Sequence, residues 1–106
     1  MTRNEFIPFM EITFSQLRAL FTNKNHSYGQ TDDAFFNFRE TARRHLGGED
    51  YPALFKALSI MKDKHAVALA NKGLDDPEVE QRLLDQIVYD LLALAMYREY
   101  RKLSNY

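Results

Sequence analysis

Three prolines and four glycines fall mostly at the ends of helical periods, and this punctuation constrains the fold more than any other feature of the chain. Proline suits the first turn of a helix, where its missing N–H costs nothing, and glycine suits the position just past the end. Four helices are expected. The first runs from about residue 7 or 8 to about 21–23, with Met10, Phe14, Leu17 and Phe21 on one face and Glu11, Ser15 and Arg18 on the other. The stretch from Asn23 to Thr31 contains Tyr28-Gly29, has no helical period and reads as a connecting loop long enough to hold a site. Thr31 or Asp32 caps the second helix, which repeats Phe35, Phe38, Ala42 and Leu46 and ends at Gly47-Gly48. Asp50 before Tyr51-Pro52 opens the third, striped by Leu54, Leu58, Met61, His65 and Ala68 or Leu69 and stopped by Asn71-Lys72-Gly73. Asp76-Pro77 opens the fourth, which runs to about Leu103 and at roughly 25 residues, ~38 Å, is the longest. No segment has the period and β-branched enrichment of a strand.

The expected architecture is therefore all-α, a four-helix, bundle-like single domain over residues 1–106, a length that suits one core and leaves little for a second. Eight Phe and six Tyr supply bulk for that core. Fourteen Lys and Arg against fifteen Asp and Glu give a formal charge of −1. Coating nucleic acid needs a marked basic excess, so nucleic acid is not the expected partner. The absence of cysteine removes disulfides, thiolate zinc sites and thiol nucleophiles. The sequence from Met1 to Glu5 lacks the order of a signal peptide, and the apolar run from Leu91 to Met96 is too short to span a bilayer. A soluble, cytoplasmic protein with no membrane partner is expected.

Placing the fourth helix on a wheel sorts its carboxylates. Leu83, Ile87, Leu91 and Leu94 make one apolar arc, extended by Leu84, Val88, Ala95 and Leu92, and this is the expected core face. Asp90 and Gln86 lie on the solvated side. Asp85 sits at the boundary beside Leu92, Met96 and Tyr89 and is expected to be partly buried. A carboxylate there needs hydrogen bonds, a cation or a metal. Two readings stay open for Asp85 and for Asp63 on the third helix: each pairs with a nearby Lys or Arg, or the two converge from adjacent antiparallel helices on Mg²⁺ together with the oxygens of a phosphate chain. Such a metal polarises a phosphoryl oxygen and activates water. Glu80 is a further candidate ligand or general base, although its angle points it away from Asp85.

The segment Lys24-Asn25-His26-Ser27-Tyr28-Gly29 gathers a cation, an amide, an imidazole, a hydroxyl and a phenol within one short stretch. It reads either as a hydrophilic turn or as a ligand loop in which Lys24 meets a phosphate, Asn25 a base edge and Tyr28 a base face. His26, His45 and His65 have no metal-site spacing; His65, on an apolar stripe, is expected to be a satisfied core histidine. No phosphate-binding glycine loop, Rossmann fingerprint, nucleophile elbow or zinc-protease helix is present.

Three segments taken in order carry a resemblance. The Lys24–Gly29 segment resembles the K-N-x-D-Y-G loop of small, largely phage and prophage nucleotide-modification-associated domains. Asp63-Lys64 resembles the Asp-Lys pair that follows there, and Glu80 with Asp85-Gln86-Ile87-Val88-Tyr89 resembles their final E-D-x-x-x-D-x-x-x-Y helix. Those proteins are similar to the all-α nucleoside triphosphate pyrophosphatases of the MazG-like superfamily. The chain departs from the pattern at Ser27, where Asp is usual, at Gln81, where the first Asp of the last helix is usual, and at Val67, where Arg is usual.

The resemblance implies a nucleotide-binding protein, a Mg²⁺-dependent pyrophosphohydrolase if active. It implies Asp63 and Asp85 on the metal, Asp85 and Glu80 in catalysis, Lys24 and Lys64 on phosphates, and Asn25, Tyr28 and Tyr89 about the base. A homo-oligomer is expected, because the fourth helix is apolar over more than half its circumference. The rival reading is a non-enzymatic helical interaction module whose Arg39, Arg43, Arg44 patch contacts a protein or a nucleic acid backbone.

Overall fold

The structure is a computed structural model that describes residues 1–28 and 32–104, the side chains of 24–28 excepted. It is all-α: α1 (Arg3–Tyr28), α2 (Phe36–His45), α3 (Tyr51–Lys72) and α4 (Val79–Ser104), with a 3₁₀ turn at Gly73–Asp75 and no strand among the described residues. None of these helices is long and apolar enough to cross a membrane. Two compact units are distinguished, Met1–Asp32 and Asp33–Tyr106.

In the first unit, α1 starts earlier than Pro8 suggests. Thr2 and Glu5 form a reciprocal capping box, Glu5 N–H donating to Thr2 Oγ1 at 3.2 Å and Thr2 N–H to Glu5 Oε2 at 3.4 Å. Pro8 therefore lies inside the helix, where it removes one ladder bond near the end without stopping propagation. The helix also continues through Asn23 to Tyr28, where a loop is expected, because no Pro or Gly interrupts it before Gly29. Of the expected stripe, Leu17 is buried, Met10 and Phe21 are half-buried and Phe14 is exposed.

In the second unit α3 packs against both α2 and α4. Its two ends follow the sequence closely. Asp50 Oδ1 accepts from Ala53 N–H at 2.9 Å, Pro52 occupies the first turn, and Gly73 closes the helix at φ 69°, a left-handed conformation that a Cβ disfavours. Gly47 plays the same part after α2 at φ 72°. Here α2 starts later than a cap at Thr31 or Asp32 would place it. Asp33 Oδ1 accepts from Phe35 N–H at 2.9 Å while its Oδ2 receives Arg39 Nε at 2.8 Å, so the turn ahead of Phe36 is held by Asp33. At the start of α4, Asp76 Oδ1 takes the Glu78 amide at 3.0 Å, close to the expected cap.

The core joins Phe35, Phe38 and Ala42 to Leu54, Ala57 and Leu58 of α3 and to Met96 of α4. Ala42 and Ala57, both with no exposed surface, are small enough to let helices approach, and Leu54 of the same cluster is likewise fully buried. Burying a leucine completely contributes about 1.5–3 kcal/mol. Tyr51 and Tyr89 pack edge-to-face on Phe35 and Phe38, with ring centroids 6.2 and 6.0 Å apart.

The face that α4 turns inward overlaps the expected one only at its edge, through Leu92. Tyr89, Leu92, Ala93 and Met96 meet the core. Leu83, Ile87, Leu91 and Leu94 remain 45, 37, 50 and 45% exposed. Both sides of α4 are apolar, so hydrophobicity alone does not choose between them. The inner side offers rings and small residues that interlock with Phe38 and Ala57, and packing decides.

Candidate functional site

The ion pair of Lys62 with Asp90 and the approach of His65 to Asp85 fix α3 and α4 as antiparallel neighbours, since rising numbers on one meet falling numbers on the other. That register brings an acid, an imidazole and a phenol to one seam. The Asp85 side chain is 13% exposed; its Oδ1 accepts from Gln81 Nε2 at 3.0 Å and its Oδ2 lies 3.9 Å from His65 Nε2. The His65 ring sits 5.7 Å from the Tyr89 ring, which itself rests on Phe38, so the seam is anchored to the core.

Asp85 is thus partly buried at an apolar boundary, as the wheel implies, with Gln81 and His65 among its neighbours. Gln81 stands one turn earlier, where a second carboxylate is usual in the resembling family. An aspartate there would add a like charge beside Asp85 that a cation would have to offset; the amide donates to Asp85 instead. His65 is not the satisfied core histidine expected. Its Nδ1 is buried and accepts or donates no hydrogen bond among the described residues. A buried polar nitrogen left so costs about 1–3 kcal/mol. The sequence signal for His65 is slight, since its closeness to Asp85 depends on a register between helices.

The other candidates lie elsewhere. Asp63 and Lys64 are exposed on α3, and Asp63 stands about 160° around the helix from His65, on the side away from the seam. Glu80 is exposed on α4, about 140° from Asp85. Tyr89 belongs to the seam. The side chains of Lys24, Asn25 and Tyr28 lie outside the described residues. No group of three His, Asp or Glu side chains gathers at one point among the described residues. The donor set at the seam suits Mg²⁺ only where a phosphate chain supplies most of the oxygens, with Asp85 the single carboxylate in place among the described residues.

The arginines of α2 are engaged with acids. Arg39 pairs with Asp33 at 2.8 Å, Arg43 with Glu40 at 2.6 Å and with Glu49 at 3.8 Å, and Arg44 with Glu40 at 3.5 Å. Burial alone would raise the Asp33 carboxyl, but the hydrogen bonds from Arg39 and the Phe35 amide, with the Arg39 charge, outweigh it and hold the group below its ordinary value. Asp76 is held low chiefly by the Glu78 amide, helped by Lys72 and Arg82.

At the other end of the α3/α4 pair, Tyr51, Pro52, Phe55, Met96, Tyr97 and Tyr100 line an apolar groove of about 310 Å³. No protein-family model, no curated protein and no solved structure matches the chain.

Proposed function

We propose that the protein binds a nucleoside triphosphate at the α3/α4 seam, as a phage-type relative of the MazG-like pyrophosphohydrolases. The observation that carries the proposal is Asp85. It is a carboxylate at the seam of two helices, hydrogen-bonded by an amide of its own helix and close to an imidazole of the other, on the segment whose order from Glu80 to Tyr89 resembles the final helix of that family. The all-helical fold agrees with it.

In this reading Asp85 is the residue that meets the phosphate end of the ligand, with Mg²⁺ arriving on the phosphates. The metal would polarise a phosphoryl oxygen and supply an activated water. The resemblance would assign Lys24 and Lys64 to the phosphates and Asn25, Tyr28 and Tyr89 to the base. Asp63 and Glu80, which the resemblance would add to the metal and to catalysis, stand on other sides of α3 and α4 from the seam. His65 is added as the partner that orients Asp85. The working compartment is the cytoplasm, and the working form a homo-oligomer.

The test is turnover. Purified protein incubated with Mg²⁺ and a panel of standard and base-modified nucleoside triphosphates is expected to release pyrophosphate, and Asp85→Asn to abolish the release. A nucleotide that binds without turnover is expected to raise the melting temperature by mass action. Neither turnover nor a thermal shift with any member of the panel would rule the nucleotide reading out. The rival interaction module has one observation in its favour, the aromatic groove from Tyr51 to Tyr100; the paired arginines of α2 weigh against a phosphate-backbone contact there.

A further inference from the structure

The outer side of α4 carries more than an apolar stripe. With successive residues about 100° apart, Glu80, Leu83, Ile87, Leu91, Leu94 and Arg98 fall within an arc of about 80°, on the side opposite Tyr89, Ala93 and Met96. The four apolar members are 37–50% exposed. Glu80 and Arg98, at the two ends of the row along the helix axis, are also exposed and form no ion pair among the described residues. A contiguous row of large aliphatic side chains left in water is uncommon in a monomer and marks a surface that a partner covers.

The order of the residues names the partner. The pairs Glu80 and Arg98, Leu83 and Leu94, and Ile87 and Leu91 all share one midpoint, at about position 89. A second copy of α4 laid antiparallel about a two-fold axis at that level sets Ile87 against the partner's Leu91, Leu83 against the partner's Leu94, and Glu80 against the partner's Arg98. Each contact then occurs twice, as an isologous interface requires. A parallel pair would set Glu80 against Glu80 and Arg98 against Arg98. We infer that the outer face of α4 is the interface of an antiparallel homodimer. A crossing near +20° keeps such helices in contact far enough from the axis for the end charges to meet. The inference rests on the exposed stripe and not on the nucleotide reading, and the two fail separately.

The experiment uses the full chain without nucleotide, followed by sedimentation velocity across the micromolar range, with far-UV circular dichroism to show that each variant keeps its helices. The wild type is expected to sediment as a dimer and Leu91→Lys as a monomer. Glu80→Arg and Arg98→Glu, both at exposed positions, are each expected to raise the dimer dissociation constant about tenfold, because two attractive pairs become repulsive. An equimolar mixture of those two variants is expected to recover wild-type dimerisation, since each heterodimer contact again joins opposite charges. A wild type that is monomeric at every concentration overturns the inference. So does a dimer that tolerates Leu91→Lys, which would place the contact on another surface, or a mixture that dimerises no better than its components, which would exclude the antiparallel register.

Discussion

Two carboxylates, Asp33 and Asp76, tie the termini of α2 and α4 to pH. Both are held below an ordinary value of 3.8 in the folded protein. A carboxylate with a lowered folded value stabilises the fold above its unfolded value, and that contribution is lost as pH falls through the folded one. The melting temperature is therefore expected to decline as the pH drops below about 4, and Asp33→Asn to be less stable at neutral pH with a shallower acid decline; thermal melts across pH read both. Gln81 bears on the proposed Mg²⁺ site. Replacing it with Asp places a like charge one turn from Asp85, so Gln81→Asp is expected to melt lower than wild type without Mg²⁺ and to gain more on its addition. Equal Mg²⁺ responses in the two proteins would count against Asp85 as the metal carboxylate. Gly73→Ala is expected to cost about 1–2 kcal/mol in chemical denaturation through its positive φ alone, because nothing lies within 4 Å of the added methyl.

Among the helices, legibility follows how much of each boundary is written in local chemistry. Both ends of α3 are signalled by short-range groups, Asp50 with Pro52 at one and Gly73 at the other, and both are found where the sequence places them. The start of α1 carries an equally local signal in Thr2 and Glu5, but Pro8 carries a more conspicuous one, and the two compete. The inner face of α4 has no local signal at all. Its two sides are alike in polarity, and only the shapes on α2 and α3 select Tyr89, Ala93 and Met96. The consequence is measurable. Met96→Ala, at a position 1% exposed, is expected to lose about 2–5 kcal/mol of unfolding free energy. Leu83→Gln, on the side once expected to be the core, is expected to cost about 0.5 kcal/mol or less in dilute solution. Comparable losses at the two sites would mean that α4 packs the other way round.

At the scale of the molecule, the all-helical class was open to reading from period and punctuation, whereas the candidate site was open only in part. Asp85 and Tyr89 stand on one helix, and a wheel suffices to set them at the same edge. His65 joins them through an antiparallel register, a property of two helices together that no one-dimensional pattern contains. For the same reason the sequence left the side taken by Asp63 open, and in the structure it is exposed, about 160° around α3 from His65. The outer stripe of α4 has a further consequence, in the cell rather than in the fold. A partner that binds only the folded form stabilises it by mass action. In the proposed dimer the partner is the chain itself, so the abundance of the protein would set its own resistance to heat and proteolysis, and a weakly expressed copy would turn over faster than a strongly expressed one without any change in sequence.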